Sequence, residues 1–322
     1  SGALVPEDQR PMSVALPLVG HKAAEQAFLA AHSSGKLHHA WLIEGPTGIG
    51  KSRLAFRLAA FILGARGPGD APLDAPEDEP VMQKFLAGGH PDLRIVQLEL
   101  NDKGKPRQDI TIDQVRSLNH FFTLKPAMGG WRVGIIDALD ELNRNASNAL
   151  LKTLEEPPAS SIMFLVNHGS KPILPTIRSR CRTLRLNPLS TDDTARVLEM
   201  VNAPNEARTL ARGRPGLGIR LSTPNGLQAS NAARALLRSM PKPNDALLTA
   251  AVQAANTDST ALQAFSEEVL NWLADRANDN PEAAEAWLRT SRLLGEADAL
   301  NMEASQTAAK MIAGLYSSVG RG

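Results

Sequence analysis

A chain of 322 residues, 43% hydrophobic and 21% charged, holds enough apolar material for two or three folded domains and excludes a largely disordered protein. Its formal net charge of +1 excludes attraction of the whole surface to nucleic acid, so contact with DNA requires a local patch or a partner. The single cysteine, Cys181, excludes an intrachain disulfide and a cysteine-rich zinc site; with no apolar run of roughly 18 residues and no N-terminal signal pattern, the expectation is a cytoplasmic protein away from membranes.

In chain order, the first predicted element is a helix over Ala23–Ala31, followed by the apolar run Ala40-Trp41-Leu42-Ile43, the length of a buried strand. Gly45 to Ser52 then reads GPTGIGKS, a match to the phosphate-binding pattern GxxxxGK(S/T). Glycines let consecutive backbone N–H groups turn inward around a β-phosphate, and a helix starting near Lys51 adds the positive end of its dipole. In such a loop Lys51 neutralises the β- and γ-phosphates and Ser52 holds Mg²⁺. Gly45, Thr47, Gly48, Ile49, Gly50, Lys51 and Ser52 are therefore the candidate nucleotide contacts. Leu54, Ala55, Leu58, Ala59 and Ile62 recur at helical spacing behind them, a context that an ordinary glycine-rich turn lacks.

Gly64–Pro80, rich in Gly, Pro, Ala and Asp without periodicity, reads as a flexible surface insertion. A strand is expected near Leu93–Leu98, and Lys103, Lys105 and Arg107 in the turn beyond it read as solvated surface. Thr111-Ile112-Asp113-Gln114 is a capping box for a helix whose Ile112, Val115, Leu118 and Phe122 share a face. Arg132–Asp137, reading RVGIID, is a buried-type strand that ends in a carboxylate suited to orienting Mg²⁺ through water. The next residue, Ala138, stands where a hydrolase needs a carboxylate to polarise the attacking water, a loss of ~10² to 10⁴ in rate. Asp140 and Glu141 fall past the strand, where their carboxylates are expected to point elsewhere. A further helix carries Leu142, Ala146, Ala149, Leu150 and Leu154 and stops at Pro157-Pro158; strands follow near Ile162–Val166 and Thr183–Leu186.

Alternating helices and strands up to about residue 187 predict an α/β domain with a parallel sheet covered on both faces. After Pro188 strand signals vanish and helical stripes recur, as in Leu262, Phe265, Val269, Trp272 and Leu273. The division expected is residues 1–187 for the nucleotide-binding domain, 188–225 for a small helical lid and 226–322 for an all-α C-terminal domain.

Four further segments make the chain resemble the bacterial clamp-loader subunits of the AAA+ class. Pro17-Leu18-Val19-Gly20-His21 is similar to the box that flanks adenine in that family, which adds Val19 and Gly20 to the candidate nucleotide contacts. Asn145 to Pro158, reading NASNALLKTLEEPP, is nearly a signature; Ser179-Arg180-Cys181 matches the SRC motif; and Gly213–Leu221 sits where the lid helix begins. The resemblance implies that Arg180 is an arginine finger reaching nucleotide on a neighbouring subunit, where the residue alone reads as a solvated arginine among Arg178, Arg182 and Arg185.

Departures within the family narrow the expectation. Motor subunits carry Asp-Glu where this chain has Asp137-Ala138, and a lid arginine near the position of Gly216. Both are missing, which resembles the delta-prime, or stator, class of DNA polymerase III subunits. The four zinc cysteines that many relatives carry before an HPD segment are absent between Gly64 and Gly89, although His90-Pro91-Asp92 is present, so no zinc is expected. The resemblance implies ATP or ADP with Mg²⁺ held by Ser52 and Asp137, motor and delta subunits as partners through a C-terminal collar, and sliding clamp and primer-template DNA reached through the complex. A working motor ATPase and a free-standing phosphotransferase are the alternative functions. The long helical C-terminus argues against the second.

Overall fold

The computed structural model describes residues 18–104 and 107–319; Pro17 of the adenine-flanking box and Lys105 of the basic turn lie outside the described residues. The chain divides into two compact units, Ser1–Met200 and Val201–Gly322.

In the first unit the described elements run α1 Lys22–Ser33, β1 Ala40–Glu44, α2 Lys51–Ile62, α3 Pro80–Leu86, β2 Leu93–Gln97, α4 Ile112–Thr123, β3 Arg132–Asp137, a short 3₁₀ turn at Leu139–Glu141, α5 Arg144–Glu155, β4 Ser161–Asn167, α6 Pro175–Arg178, β5 Arg182–Arg185 and α7 Thr191–Met200. The five strands form one sheet in the order β2-β3-β4-β1-β5, with every pairing parallel. This is the α/β architecture expected, and strand residues alternate between its two faces. Trp41, Ile43, Val133, Ile135, Phe164 and Val166 pack with Phe28, Leu54 and Leu58 of α1 and α2. Leu42, Ile136, Met163 and Leu165 pack with Val115, Leu118, Leu150 and Leu154 of α4 and α5. Burial on both faces explains why the three inner strands, β1, β3 and β4, read as continuous apolar runs rather than alternating ones.

Gly64–Pro80 is a correction to the sequence reading, because it is packed rather than loose. Leu73 is buried in the α1–α2 core, the Asp74 carboxylate pairs with Arg57 of α2, and Arg57 lies 3.5 Å from Glu25 of α1. The Gly67 N–H donates to the Pro72 carbonyl at 2.9 Å and closes the loop on itself. One apolar residue and one acid with a buried partner outweigh a composition that carries no periodicity. Helix α3, which that reading also missed, starts on a cap in which Glu79 accepts from the N–H groups of Val81 and Met82 at 2.8 and 2.9 Å.

The second unit is helical among its described residues: α8 Glu206–Ala211, α9 Pro215–Leu221, α10 Pro224–Ser239, α11 Asp245–Ala255, α12 Ser259–Ala277, α13 Pro281–Ala299 and α14 Ala304–Val319. Pro215, Pro224 and Pro281 each open a helix at its first turn, where a missing N–H costs nothing. Leu217, Leu236, Phe265, Val269, Leu273, Met311 and Leu315 share one core. Glu268 of α12 is buried and accepts from the Ser230 hydroxyl at 2.6 Å and from Arg234 at 2.7 Å, while Arg214 pairs with Glu267 at 2.6 Å. No helix among the described residues is long and apolar enough to cross a membrane.

Candidate functional site

The C-terminal ends of β1, β3 and β4 lie side by side, with Glu44 level with Asn167 and Asp137 level with Val166. Between β1 and α2 the loop Gly45–Gly50 turns through left-handed conformations, with φ of 152° at Gly45, 85° at Gly48 and 99° at Gly50. A Cβ on Gly45 would stand 2.5 Å from the Leu186 carbonyl oxygen, so only glycine fits there. Such turns produce the concave row of N–H groups that cradles a phosphate. Ile49 is buried beneath the loop, and its carbonyl lies 2.7 Å from His21 Nε2, which brings the segment carrying Val19 and Gly20 against the loop. Thr47 and Ser52 are half-buried beside it.

Lys51 is 2% exposed, and its ammonium donates to the Gly45 and Pro46 carbonyls at 2.5 Å each. Burial lowers its pKa to about 8 despite attraction from Asp140 and Asp137. The glycine geometry and this buried cation at the loop's centre fit a bound polyphosphate. A folded pKa below the unfolded value means that the folded chain holds fewer protons above about pH 8, so the cost of burying the charge is present below that pH and relieved above it. Phosphate binding needs the charged form. Nucleotide affinity should therefore fall above about pH 8, by up to about tenfold per pH unit, and Lys51→Arg should flatten that slope because arginine stays charged. Titrations with a fluorescent nucleotide across this range measure it.

At the end of β3, Asp137 Oδ1 lies 3.6 Å from His168 Nε2. Ala138 is fully buried and its N–H donates to Glu141 Oε2 at 3.0 Å. Burial raises the Glu141 carboxyl, with the charges of Asp137 and Asp140 adding to the rise and the Ala138 N–H opposing it. Asp140 is also buried, which alone would raise it, but the Ser170 hydroxyl at 2.6 Å and the N–H groups of His168 and Ser170 at 3.0 and 2.9 Å leave it below its ordinary value. Both acids are held by these bonds, yet Asp140 lies near enough to attract the Lys51 ammonium and Glu141 near enough to feel the Asp137 charge, a correction to the expectation that they point elsewhere.

Arg180 sits between α6 and β5, the edge strand beside β1. Its guanidinium pairs with Glu155 at 2.8 Å and donates to the Thr176 carbonyl at 2.8 Å, with the side chain one-third exposed. The structure therefore brings the adenine-flanking segment, the loop and Asp137 together and gives Arg180 separate partners. Cys181 is half-buried against the α4–α5 core, and burial pushes its thiol up to about 12, so it serves there as a small apolar filler. Gly216 lies in α9, and Arg214 two residues before it is committed to Glu267. Among the described residues no cluster of His, Cys, Asp or Glu is arranged to hold a metal ion.

Sequence reading missed Glu44, Asn167, His168 and Glu155. Glu44 accepts from Arg178 at 2.5 Å and from Asn167 at 3.2 Å, and these three residues help line an open groove of about 480 Å³ beside Gly45 and Pro46. The available signals were positional: Glu44 immediately precedes the loop, and Asn167 closes a strand adjacent to it.

Residues 20–190 match the family model described as DNA polymerase III, delta subunit. The chain is 41% identical over 143 residues to DNA polymerase III subunit delta' of Pseudomonas aeruginosa, covering 44% of this chain and 41% of that protein. It is 32% identical over 222 residues to subunit delta' of Escherichia coli, covering 67% of this chain and 64% of that one. The chain thus spans less than two thirds of these relatives' lengths. A DNA polymerase III gamma subunit-related protein from Thermotoga maritima is similar in structure with a TM-score of 0.48 at 16% identity, covering 92% of this chain and 99% of that one.

Proposed function

Because the chain belongs to the DNA polymerase III delta-subunit family, we propose that it is a stator subunit of a cytoplasmic clamp loader, one that holds nucleotide poorly suited to hydrolysis and assists turnover on a neighbour. The observation that carries this reading is the pairing of an intact loop and buried Lys51 with Ala138 behind Asp137, while Asp140 and Glu141 are tied by hydrogen bonds to Ser170 and to the Ala138 N–H. Val19 and Gly20 would flank the base, and Gly45, Thr47, Gly48, Ile49, Gly50 and Lys51 would hold the phosphates. Ser52 and Asp137 would hold Mg²⁺, which shields phosphate charge. Arg180 would stabilise charge on a nucleotide bound by the next subunit. The lid and collar would span residues 188–225 and 226–322.

The purified chain should bind Mg-nucleotide and release phosphate far more slowly than ~1 s⁻¹, an ordinary enzyme rate. Turnover near that rate, abolished by Lys51→Ala, would replace the stator by a motor subunit.

Motor and delta subunits would join through the helical C-terminal region, with sliding clamp and primer-template DNA met in the complex. Trp287 and Leu288 of α13 support this assignment, being large apolar side chains left 37% and 60% exposed. Leu288→Asp should weaken co-assembly with partner subunits by about tenfold or more while leaving the melting temperature unchanged, as read by co-elution and a thermal scan.

A further inference from the structure

The SRC segment is held from the side of the phosphate-binding loop by a residue that no motif includes. Glu44 is the last residue of β1, directly before Gly45, and its side chain is 16% exposed. Its carboxylate reaches three elements: Arg178 Nη2 on α6 at 2.5 Å, Asn167 Nδ2 at the end of β4 at 3.2 Å, and Arg185 Nε on β5 at 4.0 Å. Arg178 immediately precedes Ser179-Arg180-Cys181, and β5 begins immediately after it. The same carboxylate therefore holds both flanks of the segment, strongly at Arg178 and weakly at the 81%-exposed Arg185.

A carboxylate at the mouth of a loop built to receive phosphate is costly unless its charge is taken up nearby. Arg178 takes it up, and the hydrogen bond from this arginine holds the Glu44 carboxyl below its ordinary value despite its burial. Helix α6 is only four residues long; Ile177 anchors it in the α4–α5 core, with Leu174 and Cys181 partly buried on either side, and Arg180 ties its Thr176 carbonyl to Glu155. A helix this short keeps little order by itself, so its orientation depends on such attachments, and the Glu44–Arg178 pair is the one on the side of the phosphate-binding loop. We infer that Glu44 is a positioning residue for Arg180: through Arg178 it sets the angle of α6 and so the direction from which the finger leaves the sheet edge. The inference rests on the proposed role of Arg180 but concerns geometry that can be measured without turnover.

Hydrogen exchange over residues 175–185 reads that geometry in the full chain, because the Ser179, Arg180 and Cys181 N–H groups are bonded to the carbonyls of Pro175, Ile177 and Arg178 at 2.9, 3.0 and 3.2 Å. Glu44→Gln and Arg178→Gln should each speed exchange there by about tenfold, the loss expected for one charged hydrogen bond, and the double variant should add nothing further. Asp74→Asn, which weakens an ion pair elsewhere in the same unit, should leave this segment unchanged. Wild-type exchange in Glu44→Gln, or an equal rise in Asp74→Asn, would overturn the inference. If the segment loosens in Glu44→Gln while Arg180→Ala leaves hydrolysis by the assembled complex intact, the positioning stands and the finger does not.

Discussion

In the clamp loader proposed for this chain, replacing Arg180 by alanine should leave the complex assembled but lower its DNA-stimulated nucleotide hydrolysis by about tenfold or more. A guanidinium supplied across an interface contributes ~10³ to 10⁵ where it acts alone, and several such groups in one ring make the loss from removing one partial. The fold should tolerate the change. Arg180 is one-third exposed and Glu155, its partner, half exposed, and an ion pair of that kind is worth only about 0–1 kcal/mol. For the catalysis in trans proposed above the guanidinium would have to leave Glu155 and Thr176, its partners within the chain. Steady-state hydrolysis and clamp loading by the reconstituted complex measure the effect. Wild-type rates would reduce Arg180 to a surface arginine.

Asp92→Ala should destabilise the first unit by about 3–5 kcal/mol, because it strips a buried arginine of its counter-charge. Asp92 is fully buried and accepts from the N–H groups of Ala127 and Met128 at 2.7 and 2.8 Å. Arg132 lies 3.7 Å away, donates to the Lys125 carbonyl at 2.6 Å, and rests over the Phe121 ring at 4.4 Å. The HPD segment is thus a clasp on the turn that leads from α4 into β3, the strand bearing Asp137. A thermal scan should show a fall of roughly 6–20 °C, and Asp92→Asn a smaller one because it keeps an acceptor. A loss below about 1 kcal/mol would mean that the turn holds itself.

The sheet was most legible in its inner strands, which are buried on both faces, so Arg132–Asp137 could be placed to the residue. The phosphate-binding loop was legible because its glycines answer a backbone need that few residues meet, as the close approach of Leu186 to Gly45 shows. What sequence could not reveal were partnerships across long separations. Asp140 holds the chain at His168 and Ser170, Glu155 holds Arg180, and Glu44 holds Arg178, each joining segments that no local pattern links. Gly64–Pro80 was misread for the same reason, since its partner Arg57 lies on α2, outside the segment, and no local pattern links the two.

The two outer strands, β2 with five residues and β5 with four, are short, and both turn arginines outward: Arg94 on one, Arg182 and Arg185 on the other. Unpaired backbone on a sheet margin is a template on which a second copy can stack, and brevity with positive charge discourages that growth. If the chain joins unlike partners as proposed, this arrangement gives it a safeguard before they meet, because positive charge at both margins disfavours the stacking of one copy on another.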